Sequence, residues 1–370
     1  MTWLPSPLAG YLCDRFGCRI TCFLGGMLCI VGLVSTSFAQ SLAVMYFTYS
    51  MVFGLGACFI YNSIFLVIGK YFKQKLSVAT GITALGASIG ILYTAPLLQV
   101  LLDSFEWRNA LRMMAASFTL VCLFSLTFNP NVEETTIIED FNPETNNTDN
   151  EVERVDLSVF TVITISLMFG SFGIFIPFIY LVKYCEDLGI TAQEASRLFI
   201  FIGLASSLAR PISGRVCNDP RVNPVFIYQS SLLLAGVSAF LLPFATNYWA
   251  LVVFSVAYGL SDGIFMTVPI FILLSCVDKK RVTASFSIEN ALYAVSAAAG
   301  GPIAGLMADQ TGNYIHSFYM TGGVLMMAFF TPFVLMFINR GMARVHPTDE
   351  EEARDVEATG AGPQADVRQS

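Results

Sequence analysis

The chain has 370 residues, of which 55% are hydrophobic and 13% are charged, and its mean hydropathy is +0.65. A soluble domain carries roughly a quarter of charged residues, so this composition indicates that lipid, not water, surrounds most of the chain. The net charge of −7 comes mostly from two polar segments, 132–156 and the tail from about 348. These segments lack apolar periodicity, so their acidity indicates neither a nucleic-acid partner nor an acidic enzyme site.

Long uncharged runs define the predicted helices. No Asp, Glu, Lys or Arg occurs in 20–69, 76–102 or 222–261. A membrane-spanning helix needs about 20 apolar residues, so the first and third runs must each contain two helices. A short helical stub is predicted before Gly10. The full set of predicted spans is 20–39, 42–69, 76–101, 109–128, 157–182, 191–214, 222–244, 248–275, 282–307 and 316–339.

The distribution of basic residues predicts the orientation in the membrane. If the charged turn near the N-terminus is cytoplasmic and the spans alternate, fifteen Lys and Arg residues lie on the cytoplasmic side and four on the other. Cytoplasmic loops of membrane proteins carry such an excess of basic residues. We therefore predict a multi-pass membrane protein with a cytoplasmic linker at 129–156 and a disordered cytoplasmic tail at 341–370.

The chain also contains a weak internal repeat. The stretch FGLGACFI at 53–60 matches YGLSDGIF at 258–265, and two shorter matches share the same offset of about 205 residues. Two similar helical halves in parallel, here 1–128 and 157–340, are the layout of major facilitator transporters. We therefore predict an all-α membrane protein with two pseudo-repeated bundles joined by the acidic linker.

Several motifs resemble a known transporter family. The stretch GYLCDRFGCR at 10–19 resembles the loop between the second and third helices of major facilitator proteins. The stretches YFKQKLSVATGITALGASIG at 71–90, APLLQVLLDSFEWRNAL at 95–111 and LARPISGR at 208–215 resemble the monocarboxylate transporter family. The resemblance implies a twelve-helix fold. Ten predicted spans and a stub then imply a truncated chain that lacks the first helix and part of the second.

The motif after the stub suggests a conformational role. Gly17 is expected to adopt a positive φ, and Asp14 is expected to accept hydrogen bonds from backbone N–H groups at a neighbouring helix start. The resemblance implies that Asp14, Arg15, Gly17 and Arg19 latch one state of the transport cycle, and that Lys73 has a gating role. The alternatives are a plain positive-inside loop and, for Lys73, a charge that only sets topology.

Charges within the membrane are the best candidates for a substrate site. Arg210 lies deep in an otherwise uncharged helix, and such a charge costs about 2.5–3.5 kcal/mol on insertion scales. Its guanidinium suits a carboxylate, and Asp262 is its expected partner. The resemblance implies that Arg210 binds substrate, with Asp262 and Ser206 in the same substrate site, and the alternative for Arg210 is a structural ion pair. Ser206 occupies the position where many proton-coupled members carry Asp. Glu289 lies either near the cytoplasmic interface or within the site.

The function predicted from these features is secondary transport of small organic monocarboxylates by alternating access. The substrate is either lactate- or pyruvate-like or a larger aromatic or amino-acid-like carboxylate, and a coupled proton is left open. No catalytic constellation, cofactor motif or metal site is recognisable, so no enzyme is predicted. The partners are the organic anion and membrane lipid, with a single-span accessory subunit left open. The alternative is a truncated, non-transporting relative that acts as a membrane binding partner.

Overall fold

The computed structural model describes residues 3–72, 75–128, 157–219, 221–277 and 281–334. Every regular element in these ranges is helical, and seven helices within them are long and apolar enough to cross a membrane. Lys73, the predicted linker 129–156 and the predicted tail 341–370 lie outside the described residues. The all-helical membrane architecture predicted from the uncharged runs is therefore confirmed.

The helices of the two predicted halves follow one another with short connections. In the first half a π-helical segment, Tyr46–Phe53, joins α3 to α4, and in the second a 3₁₀ turn follows α10 at Leu242–Phe244. The first half contains α1 (Ser6–Phe16), α2 (Cys18–Ser37), α3 (Leu42–Met45), α4 (Gly54–Tyr71), α5 (Leu76–Ser104) and α6 (Trp107–Ser125). The second half contains α7 (Leu157–Ile174), α8 (Ile176–Asp187), α9 (Ala192–Val216), α10 (Pro224–Leu241), α11 (Tyr248–Cys276), α12 (Val282–Thr311) and α13 (Ile315–Phe330).

Two details differ from the prediction. The predicted span 157–182 is confirmed as one span, Val159–Asp187, but its helix is irregular at Phe175, which separates α7 from α8. Pro177 lies in the first turn of α8, where its missing N–H leaves no helical hydrogen bond unmade. The second difference lies in the charged motif near the N-terminus, which is itself mostly helical, since α1 continues through Asp14 to Phe16.

Gly17 separates α1 from α2. Its φ of 82° and ψ of 153° lie in a region that only glycine occupies readily. The Gly17 N–H donates a hydrogen bond to the Cys13 carbonyl oxygen at 3.0 Å, which closes the last turn of α1. The positive φ predicted for Gly17 is confirmed, and the sharp change of direction between the two helices depends on it.

The two halves touch at one end of the bundle. Helix α5 packs against α9 where Gly81 and Gly214 face each other, and a Cβ atom at Gly214 would lie 2.5 Å from the Ser77 carbonyl oxygen. Helix α1 meets α12 where Gly10 faces Ser287. Small residues permit such close approach of helix backbones. These contacts lie beside the loops predicted to be cytoplasmic, so the halves are closed at that end.

Candidate functional site

The predicted contact between the two membrane charges is present. Arg210 extends from α9, and its Nη2 atom lies 3.7 Å from Oδ2 of Asp262 on α11. Ser206, one turn before Arg210, donates a hydrogen bond to the same Oδ2 atom at 2.8 Å and accepts one from Arg210 Nε at 3.3 Å. The Arg210 and Asp262 side chains are only 12% and 10% exposed. The three side chains therefore form one buried polar cluster.

Close helix packing brings this cluster together. A Cβ atom at Gly263 would lie 2.5 Å from the Ser206 carbonyl oxygen, and one at Gly259 would lie 2.9 Å from Cα of Ile202. Glycines four residues apart on α11 thus let its backbone approach α9. As a result, Asp262, which directly precedes Gly263, reaches the Ser206 hydroxyl.

Arg210 also connects the two halves of the protein. Its Nη1 atom donates a hydrogen bond at 2.9 Å to the carbonyl oxygen of Ala84 on α5, which belongs to the first half. A guanidinium has five N–H donors, so bonds to Ala84 and Ser206 and the ion pair with Asp262 leave donors for a further acceptor. An organic carboxylate is the acceptor that best fits the remaining planar donors.

A small cavity lies near this cluster and contains a third membrane carboxylate. Its volume is about 40 Å³, and Glu289 on α12 forms part of its wall together with Trp3, Tyr61 and Tyr293. Glu289 is 5% exposed, so its side chain lies within the bundle. No hydrogen bond or ion pair joins Glu289 to any other residue that the structure describes.

The aromatic walls of this cavity were not among the predicted site residues. Trp3 packs edge-on against Tyr293 with ring centroids 5.2 Å apart and against Tyr61 at 6.2 Å. Each of these aromatics lies in an apolar stretch, where lipid-facing and buried aromatics have the same local sequence. In the sequence, only the distance of Glu289 along the chain from the charged loops pointed to this region. That distance did not distinguish a position near the cytoplasmic interface from one within the site.

Within the described residues, no hydrogen bond or ion pair joins the predicted gating residues to the cluster of Arg210, Asp262 and Ser206. Asp14 and Arg15 are exposed, and Arg15 donates a hydrogen bond to the Tyr11 hydroxyl at 2.8 Å. Within the described ranges Asp14 accepts no hydrogen bond from the start of a neighbouring helix, unlike the predicted latch. Arg19 is half-buried in the first turn of α2. The gating roles of these residues and of Lys73 stay predictions.

Comparison with known proteins decides the family. The sequence profile of the Major Facilitator Superfamily matches residues 3–227 and 161–365. The chain belongs to the major facilitator superfamily. It is therefore a multi-pass membrane protein of a transporter family, as its uncharged runs and internal repeat predicted.

Curated relatives carry the name of the family predicted from the motifs. The chain is 29% identical over 344 residues to monocarboxylate transporter 12 of Xenopus laevis, covering 87% of this chain and 75% of the relative. It is 27% identical to human monocarboxylate transporter 10, covering 87% and 65%. It is 28% identical to rat monocarboxylate transporter 3, covering 89% and 68%. The chain thus spans about two thirds to three quarters of the length of these relatives.

Solved structures share the fold at low sequence identity. The human organic anion transporter MFSD10 matches with a TM-score of 0.70 at 16% identity, covering 89% of this chain and 80% of that one. The proton:xylose symporter XylE matches with a TM-score of 0.71 at 12% identity, covering 91% and 83%. These matches show the major facilitator fold.

Proposed function

We propose that this protein is a secondary carrier for small organic monocarboxylates, with Arg210 as the residue that binds the carboxylate. The observation that carries the proposal is a buried guanidinium with unused donors, held by Asp262 and Ser206 between two helical halves. A buried ion pair is costly to desolvate and is a weak source of stability. A ligand bound by the free N–H donors of Arg210 explains why an arginine is present here despite the desolvation cost.

The contacts between the halves support alternating access. Arg210 in the second half holds the Ala84 carbonyl of the first half, and the glycine contact between α5 and α9 lies one turn away. Carriers of this superfamily work by rocking one half against the other around a fixed site. The Arg210–Ala84 bond then breaks when the end that is closed here opens, so substrate at Arg210 is coupled to the movement.

The remaining predicted features belong to the same proposal. The carrier lies in the plasma membrane with its C-terminus in the cytoplasm, because the bias of basic residues favours that orientation. Asp14, Arg15, Gly17, Arg19 and Lys73 act at the closed end as conformational residues. The names of the curated relatives support monocarboxylates as the substrate class.

Reconstituted proteoliposomes test this proposal directly. We expect the purified protein to take up labelled lactate, pyruvate or phenyllactate, and we expect unlabelled substrate inside the vesicles to accelerate that uptake. Acceleration of uptake by substrate on the opposite side of the membrane distinguishes a carrier from a channel. In a carrier, the empty binding site must return to the outer face before each new turnover. Absence of carboxylate uptake by correctly folded protein contradicts the proposal and favours a non-transporting role.

A further inference from the structure

Two cysteines flank the turn that joins α1 to α2. Cys13 lies in the last turn of α1, and Cys18 is the first residue of α2. In one continuous helix, residues five positions apart would point about 140° away from each other. The positive φ of Gly17 interrupts the helix between them, and the two thiols form a hydrogen bond with each other. The turn therefore creates a pair of neighbouring thiols.

This thiol pair also contacts two polar groups of α4. The Cys18 sulfur accepts a hydrogen bond from Nζ of Lys70 at 3.8 Å, and Sγ of Cys13 lies 3.4 Å from Oγ of Ser63. The nucleophilic form of cysteine is the thiolate, and a neighbouring ammonium group or a helix N-terminus favours it. Cys18 lies at a helix N-terminus and beside an ammonium group, so it has the surroundings of a reactive cysteine.

Two other buried thiols of the first half have different surroundings. The Cys29 thiol donates a hydrogen bond to the Phe53 carbonyl oxygen at 3.7 Å, and the Cys122 thiol donates one to the Phe23 carbonyl oxygen at 3.9 Å. A carbonyl acceptor favours the protonated thiol, because a thiolate has no proton to donate. Cys29 and Cys122 are therefore suitable references for the reactivity of the pair.

The second half of the protein helps to cover the thiol pair. Cys13 is 1% exposed and Cys18 is 0% exposed, so both are shielded in this closed form. They belong to an apolar cluster that also contains Leu274 of α11 and Phe286 of α12. Phe286 packs against Phe65 of α4 with ring centroids 6.2 Å apart. Separation of the halves at this end would withdraw α11 and α12 from the cluster and admit small reagents.

We infer that Cys13 and Cys18 form a redox-sensitive dithiol, which hydrogen peroxide converts to a disulfide when this end of the bundle opens. The chemistry depends on the contacts of the two thiols, whereas access to them rests on the movement in the proposed function. Disulfides in the cytosol are usually transient and redox-sensing, which suits the predicted cytoplasmic location of the turn.

The reaction consists of two balanced steps. The Cys18 thiolate attacks one oxygen of hydrogen peroxide, so an S–O bond forms, the O–O bond breaks and hydroxide leaves to take the proton that Cys18 released. The Cys13 thiol then attacks the sulfur of this sulfenic acid, so the S–S bond forms, the S–O bond breaks and water leaves with the Cys13 proton. The two thiols lose two electrons, and peroxide is reduced to two waters. Thiols in hydrogen-bonding contact need only a small further approach to reach the S–S length of about 2.05 Å.

Peptide mapping of the unaltered protein in proteoliposomes tests the inference. After treatment with hydrogen peroxide, the remaining thiols are alkylated and the protein is digested with trypsin without a reductant. Trypsin cuts after Arg15, between the two cysteines, so a Cys13–Cys18 disulfide is detected as two peptides joined in one mass. We expect this joined peptide to form at least about tenfold faster than Cys29 or Cys122 is oxidised, and dithiothreitol should separate it.

Variants of the turn and of α4 test the role of each group. In Cys13→Ser, oxidation of Cys18 should stop at the sulfenic acid, which dimedone traps. Cys29→Ser removes another buried thiol of α2 and should leave the joined peptide unchanged. Lys70→Gln should slow its formation by about tenfold, whereas Lys70→Arg retains a cation and should keep the rate within about threefold.

A third pair of variants tests the access of peroxide to the thiols. Gly214→Val disturbs the contact between α5 and α9 that closes this end of the bundle. It should therefore accelerate formation of the joined peptide. Gly86→Ala is the control, because no atom lies within 4 Å of its new Cβ, and it should leave the rate unchanged.

The possible results separate this inference from the proposed function. Oxidation of Cys18 no faster than that of Cys29, in the unaltered protein and in Gly214→Val alike, overturns the redox-sensitive dithiol. Oxidation of Cys18 without any joined peptide overturns its pairing with Cys13. Equal rates in the unaltered protein and Gly214→Val overturn the requirement for opening. Peptide mapping needs no transport, so absence of carboxylate uptake refutes the proposed function and leaves the result for the dithiol intact.

Discussion

The two halves of the protein contribute different chemistry to the centre. In the first half, every charged side chain whose burial the structure describes is exposed or only partly buried, and what reaches Arg210 from that half is a backbone carbonyl. The second half places Arg210, Asp262 and Glu289 inside the bundle. The two halves of a repeated fold therefore differ, since the charged side chains inside the bundle come from one half and a backbone carbonyl from the other.

This difference explains how a ligand could control the movement of the halves. In the proposed cycle, the ion pair and the Ser206 hydrogen bonds lie within the second half and need not break. The bond to Ala84 crosses between the halves, so the proposed movement breaks it. A carboxylate that takes over the guanidinium donors now used by Ala84 would weaken the closed state. Binding and movement would then compete for the same side chain.

The largest expected effect tests the role of Arg210 in the second half, which we call the charged half because it places Arg210, Asp262 and Glu289 inside the bundle. We expect Arg210→Gln to lower lactate uptake by at least about 30-fold, because loss of one partner of a buried charge pair typically costs about 2–5 kcal/mol. Uptake normalised to the amount of protein at the cell surface measures this. Arg215→Gln is the matched control, since Arg215 is exposed in the last turn of the same helix. Equal uptake by both variants would contradict the assignment of Arg210.

The next prediction concerns the surface at which the halves meet. Gly214→Val introduces a Cβ atom where the Ser77 carbonyl oxygen is 2.5 Å away, so the halves cannot close in the same way. Overpacking typically costs 1–3 kcal/mol, and we expect uptake to fall by about tenfold with faster hydrogen exchange around Ser77. Gly86→Ala is the control, because no atom lies within 4 Å of its new Cβ. Unchanged exchange in Gly214→Val would show that this contact does not close the bundle.

The sequence predicted the membrane helices and the Arg210–Asp262 pair for the same physical reason. Charge is so unfavourable in lipid that uncharged runs reveal the spans, and the rare exceptions reveal residues that need a partner. Arg210 and Asp262 were such exceptions, in helices that are neighbours in the family fold. Ser206 was recognised only through its position one turn before Arg210.

Other features of the site had no signal in the sequence. The Ala84 carbonyl is a backbone group, which any residue supplies, so its bond to Arg210 depends on the approach of α5 and α9. The cavity at Glu289 combines Trp3, Tyr61 and Tyr293, which are far apart in the chain and meet only in the folded bundle.

A double-mutant cycle sharpens the description of the charged half. Arg210→Gln alone and Asp262→Asn alone each remove a partner from a buried pair, which typically costs about 3–5 kcal/mol of stability, whereas replacing both partners can be nearly neutral. We expect each single variant to lower the amount of folded protein and the double variant to restore it without restoring uptake. Strictly additive losses would mean that the 3.7 Å contact contributes no coupling.

The smallest expected effect separates support of the pair from contact with substrate. Ser206 donates to Asp262 at 2.8 Å and accepts from Arg210 Nε at 3.3 Å, so its hydroxyl orients both charges. Ser206→Ala removes both hydrogen bonds but leaves Arg210 and Asp262 paired with each other, so we expect a net cost of about 1 kcal/mol, or roughly fivefold in uptake. Ser207→Ala is the neighbouring control, because its hydroxyl bonds only to the Gly203 carbonyl oxygen of its own helix at 2.7 Å, and it should change uptake by less than about twofold.

The size of the Ser206→Ala effect decides between two roles. A few-fold loss with the same ratio for lactate and phenyllactate indicates that the hydroxyl acts through Arg210 and Asp262, since a positioning group does not distinguish substrates that share a carboxylate. A loss as large as that of Arg210→Gln would mean that the hydroxyl binds the substrate itself. Measuring both acids in Ser206→Ala and Ser207→Ala, at equal surface abundance, therefore shows whether the charged half recognises the carboxylate through Arg210 alone or through two adjacent turns of α9.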